Sequence, residues 1–154
     1  MPKSIKSPLN LLFITLALVF LYSCGLWSDF TTYFNTYYNA NKIFEKVEEE
    51  IEQKETDIFA FREQTAPRSV MDQLKKVLEK TSKIMQFDTA SSYFDDALFM
   101  SGKAFFYQGR FSKAARKFKE LSALKSTDLK LESELWIGKT ELQLRNFDLG
   151  MEVL

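Results

Sequence analysis

Histidine is absent from this chain of 154 residues, and cysteine occurs once. The first absence removes the commonest general base and the commonest metal ligand. The second excludes an internal disulfide, so stability must come from packing. Five glycines and three prolines are few helix breakers for this length. Charge of either sign is not in excess, with 21 Lys+Arg against 21 Asp+Glu. That balance argues against a general nucleic-acid binder, which usually carries a strong basic surplus. No Gly-rich phosphate loop, nucleophile elbow or metal-spaced cluster appears. The expectation is a protein that is not an enzyme and needs no cofactor or metal. What the chain does have is charge (27%) and aromatic side chains (15%). Many long side chains with few breakers predict an all-α fold.

The single cysteine, Cys24, closes an apolar run from Leu9 to Tyr22 that is broken only by Asn10 and Thr15 and preceded by Lys3 and Lys6. A membrane span needs ~20 apolar residues. This run is shorter and suits the apolar region of a signal peptide, ~7–15 residues long. Leu21-Tyr22-Ser23-Cys24-Gly25 resembles the lipobox of bacterial lipoproteins, with Tyr22 larger than the usual residue at its place. The resemblance implies removal of a signal peptide, residues 1–23, and a mature protein that begins at a lipidated Cys24. Each buried CH₂ of the lipid would contribute ~0.8 kcal/mol to anchoring. Gly25 after Cys24, rather than Asp, suits outer-membrane sorting, on the periplasmic side of the bacterial envelope. The competing readings are an uncleaved signal-anchor extended through Leu26 and Trp27, and a buried free thiol. With residues 1–23 removed about 130 residues remain, enough for one domain with its own core.

Residues 24–92 read as an N-terminal helical region. From Asp29 to about Arg62, Phe30, Tyr33, Phe34, Tyr37, Phe44, Val47 and Ile51 share one side of a helix, opposite Lys42, Lys46, Glu49, Glu50 and Gln53. The run Glu48-Glu49-Glu50 then reads as a solvated face. The dense aromatic cluster around Tyr33 and Tyr37 has two readings, a docking surface or a helix-packing face. Pro67 breaks the pattern and pushes Ala66 out of helical geometry. Ser69 is the expected N-cap of a second helix, with Asp72 in its first turn. Val70, Leu74, Val77, Leu78, Thr81, Ile84 and Met85 form its apolar stripe.

From Tyr93 the chain repeats itself. Gly102, Phe111, Ala114 and Phe118 recur as Gly138, Phe147, Gly150 and Leu154, each displaced by 36 residues. This pattern resembles the tetratricopeptide repeat, a pair of antiparallel helices with a period of about 34. Leu98, Gly102, Phe105, Phe111, Ala114, Phe118 and Leu121 match one repeat of that family. Glu134 and Glu141 depart from it, standing where Leu98 and Phe105 stand one repeat earlier. Residues 93–154 are thus expected to form repeats of a tetratricopeptide-like α-solenoid, the last incomplete. The pattern stays apolar to its end, and two readings follow: a fragment of a longer protein, or an end covered by something else.

As a whole the chain resembles tetratricopeptide-repeat lipoproteins of Bacteroidota-like bacteria and, more distantly, outer-membrane assembly lipoproteins of the same architecture. The resemblance implies a lipid-anchored scaffold that holds a protein or peptide partner in the groove lined by the first helix of each repeat. The alternative is a structural subunit of an outer-membrane assembly or secretion complex. Carried onto this sequence, the groove positions are Asp96, Phe99, Lys103, Phe106 and Tyr107, then Glu132, Leu135, Lys139, Leu142 and Gln143. Lys103 and Lys139 fall in one phase and are expected to stack and hold a carboxylate or acidic peptide. Lys113, Arg116, Lys117 and Lys119 belong to the second helix and read as solvent-facing. Asp95 and Asp96 at a helix start are explained by the helix dipole, since adjacent helical residues diverge by about 100° and do not aim at one site.

Overall fold

The computed structural model describes residues 36–53 and 67–153. Cys24, Tyr33 and the expected signal peptide lie outside the described residues, as do both ends of the long first helix expected from Asp29 to Arg62. Among the described residues the fold is all-α, with six helices and no strand: α1 (Tyr38–Glu52), α2 (Arg68–Phe87), α3 (Phe94–Tyr107), α4 (Phe111–Ser122), α5 (Lys130–Gln143) and α6 (Phe147–Val153). None of them is long and apolar enough to cross a membrane.

Each helix packs on the next in sequence, and α3 also touches α1 and α5. The odd-numbered helices therefore adjoin one another along one side of the stack. The first pair is built from matching stripes. Ala40, Phe44, Val47 and Ile51 of α1 are buried, and so are Val70, Leu74, Val77 and Thr81 of α2. Both sets follow the same four-, three- and four-residue steps, which keep one face of each helix on the other. Burying one such aliphatic side chain contributes ~1.5–3 kcal/mol. Met100 and Ala104 of α3 join this cluster and tie the first pair to the second.

Pro67, not Ser69, occupies the N-cap position of α2, and its carbonyl accepts the Val70 N–H at 3.1 Å. Proline already holds the extended geometry that a cap requires. The Ser69 hydroxyl instead donates to Glu50 at 2.6 Å, which joins the start of α2 to the end of α1. Asp72, outside the first turn, pairs with Lys75 in solvent.

The 36-residue recurrence extends to the backbone. Phe94–Tyr107 and Lys130–Gln143 begin and end 36 residues apart, and α4 and α6 start at Phe111 and Phe147. The turns repeat too. Gly109 has φ 71° and Arg145 has φ 64°, the left-handed C′ position in each. Gly109 and Arg110 N–H donate to the Phe106 and Phe105 carbonyls, as Arg145 and Asn146 N–H donate to Leu142 and Glu141. This bond pair is the Schellman arrangement, which satisfies the last carbonyls of a helix. The three-residue turn folds α4 back along α3. A Cβ on Gly102 would lie 2.5 Å from the Phe118 ring, so only glycine lets that ring seat against α3.

Candidate functional site

The side shared by α1, α3 and α5 carries most of the expected groove residues. At its centre is Lys103, whose side chain is only 15% exposed. Its ammonium forms an ion pair with Glu48 of α1 and lies 5.2 Å from the Phe44 ring centre, 5.6 Å from Phe99 and 5.3 Å from Trp136. An ammonium surrounded by ring faces is held by their quadrupoles, and here a carboxylate neutralises it as well. The Tyr107 hydroxyl donates to the same Glu48 oxygen at 2.8 Å. Two expectations are corrected. Glu48 is not part of a solvated acidic face, because it sits one residue from the buried stripe and turns toward α3. Lys103 does not stand ready for a ligand carboxylate, because Glu48 fills that role.

Trp136 organises the α3–α5 side of this surface. It stacks on Phe118 with centroids 5.6 Å apart and meets Phe106, Tyr107 and Phe99 edge-on at 5.2, 6.1 and 6.5 Å. Such ring pairs add ~0.5–1.5 kcal/mol each beyond area burial. Phe106, expected in the groove, is buried among these rings and Phe111. Phe99 is half-buried against Phe118 and Trp136. Lys139 lies over Trp136 at 4.7 Å, so both in-phase lysines contact one indole rather than a shared opening. The sequence signal for Trp136 is a large indole two residues after Glu134, where the chain departs from the repeat pattern.

Tyr37 turns inward, stacking on Tyr93 with centroids 4.6 Å apart and hydrogen-bonding the Asp96 carboxyl. Burial, and then the neighbouring Asp95, push the Asp96 carboxyl above the usual range, with the Tyr37 bond opposing them. Asp95 and Asp96 do occupy the first turn of α3. Asp95 accepts the Asp96 N–H and the Thr127 hydroxyl, both at 3.0 Å. Both carboxylates stand where a helix dipole favours negative charge, and the two are held by different partners, Asp95 by Thr127 and Asp96 by Tyr37.

On the opposite side, Glu141 is 3% exposed. It accepts from Lys119 at 2.7 Å and from the Asn146 amide at 2.6 Å, and these bonds hold its carboxyl below the usual range despite burial. Lys119 is exposed, as expected, and its ammonium also ties α4 to α5. One repeat earlier the same positions hold Phe105 and Arg110, whose guanidinium lies 5.0 Å from the ring. A hydrogen-bonded pair replaces a cation–ring pair at one conserved geometry of the turn. Among the described residues no group of three or more His, Cys, Asp or Glu is placed to hold a metal ion. No protein-family model, curated protein or solved structure matches the chain.

Proposed function

We propose that this protein is a lipid-anchored helical-repeat scaffold of the tetratricopeptide type that binds a protein or peptide partner along the α1/α3/α5 side, in the periplasm at the outer membrane. The observation that carries this reading is the return of helix bounds, turn bonds and left-handed residue after 36 residues. A repeat of helix pairs makes an extended surface by translation, and binding is the use to which such surfaces are put. The lipobox-like Leu21-Tyr22-Ser23-Cys24 supports the anchor. Because Lys103 is neutralised by Glu48, the partner is held by shape and apolar contact around Phe99, Trp136 and Lys139 rather than by a two-lysine carboxylate clamp.

Intact mass and membrane fractionation in a lipoprotein-processing bacterium test the anchor. The mature protein is expected to lack residues 1–23, to carry a diacyl or triacyl increment and to sediment with membranes. Cys24→Ala is expected to be released yet to co-purify with the same partner. An unprocessed mass with both forms in the membrane contradicts the anchor.

A further inference from the structure

Basic and acidic residues are equal in number along the chain, and the fold separates them. α2 holds five Lys or Arg against two Asp or Glu, and α4 holds four against one. α1 holds two against five, α3 one against two, and α5 two against three. The side of the stack made by α2 and α4 is therefore basic, and the α1/α3/α5 side is acidic.

Some of that basic charge is already matched. Asp72 meets Lys75, Glu120 meets Arg116 and Lys117, and Lys119 is held by Glu141 of α5. Among the described residues no carboxylate pairs with Lys76, Lys80, Lys83, Arg110 or Lys113. Lys76, Lys80, Lys83 and Phe87 follow four-, three- and four-residue steps along one side of α2, a stripe about 16 Å long. Lys83, Phe87, Phe105 and Arg110 line one crevice between α2 and the turn from α3 to α4. Arg110 and Lys113 lie over the Phe105 ring at 5.0 and 5.8 Å. The unmatched cations of both helices thus form one patch around an aromatic floor.

What the patch lacks narrows the occupant. Phe87, 76% exposed, is the one large exposed hydrophobe on α2 and α4 among the described residues. A protein partner needs an apolar core to its contact, which a single ring does not supply. A bilayer requires less. Its phosphates meet basic side chains wherever they stand, and a lone exposed ring suits the headgroup level.

We propose that the α2/α4 side lies on a bilayer surface bearing anionic headgroups, with Lys76, Lys83, Arg110 and Lys113 against the phosphates and Phe87 at the interface. This contact is additional to the function proposed above and does not need the lipid at Cys24. With that lipid present, it turns the α1/α3/α5 side away from the membrane and toward a partner.

The test uses the full chain carrying Cys24→Ala, labelled with the polarity-sensitive dye NBD at Gln86→Cys beside Phe87 or at Glu132→Cys on α5. Vesicles are phosphatidylcholine alone, or equal parts phosphatidylcholine and phosphatidylglycerol. Comparing two positions of one chain separates this side from any other segment that holds the chain to a vesicle. Emission at position 86 is expected to rise and shift to the blue on the anionic vesicles only, and emission at position 132 to stay unchanged. The shift is expected to be lost in high salt, which screens exposed charge, and in the combined variant Lys76→Gln, Lys83→Gln and Lys113→Gln. All three positions are exposed, and the salt arm uses the unsubstituted patch, so it decides even where the triple variant misfolds. An equal shift on neutral vesicles, an equal shift at position 132, or a shift that survives salt overturns the proposal. No shift at position 86 also overturns it and leaves an acidic protein surface as the occupant.

Discussion

Single residues reveal the repeat best where the same backbone holds different chemistry. The left-handed turn position is Gly109 in one copy and Arg145 in the other. A side chain there costs roughly 1–2 kcal/mol, and the Schellman bonds sustain it. Arg145→Gly is therefore expected to raise stability in urea by about 1 kcal/mol, and Gly109→Ala to lower it by a similar amount. Opposite results would mean that the two turns are not equivalent. Glu141 gives the pH signature. Its carboxyl is held below 4.5 in the folded state, so its contribution is complete above that pH and is lost as pH falls through the lowered value. Glu141→Gln is expected to destabilise by about 1 kcal/mol at pH 7, with the difference shrinking in acid. Asp96 acts with the other sign. Its pKa lies above 3.8 in the folded state, so stability drawn from it falls as pH rises between the two values, and the two groups partly cancel in a melt of the wild type.

Elements explain how much was legible beforehand. The stripe of α2 was readable because Val70, Leu74, Val77, Thr81 and Ile84 are all apolar or small and recur at helical spacing, and all five are buried. The 36-residue period was readable because glycines and phenylalanines mark close approach and the filling of it. The capping of α2 was not, because Ser69 looks like a cap in one dimension while Pro67 holds the geometry. Nor was the inward turn of Glu48, since a charge beside two others reads as solvated until a distant lysine is seen to meet it. Lys103 shows the same limit: its phase was right and its availability was not. The Glu48–Lys103 pair now joins α1 to α3, so a double-mutant cycle with Glu48→Gln and Lys103→Met is expected to give a coupling energy of about 1–2 kcal/mol. A coupling near zero would mean that rings alone seat the lysine. Lys103→Glu would place two carboxylates together and loosen the stack.

At the scale of the molecule, helices joined in sequence give a chain whose ends and sides do different things. The first pair is bound to the second by Met100 and Ala104 and by Lys103. The α1/α3/α5 side carries the proposed partner surface, and a lipid at Cys24 would hold the whole at a membrane. The direct measurement is photo-cross-linking in the envelope of a lipoprotein-processing bacterium, with a photoreactive residue placed singly at Glu132 or Lys139 on α5, and at Lys76 or Arg116 on the even-numbered helices. The account predicts one discrete adduct, common to positions 132 and 139 and missing from 76 and 116. An adduct formed from positions 76 and 116 and not from α5, or no adduct from any of the four, would contradict it.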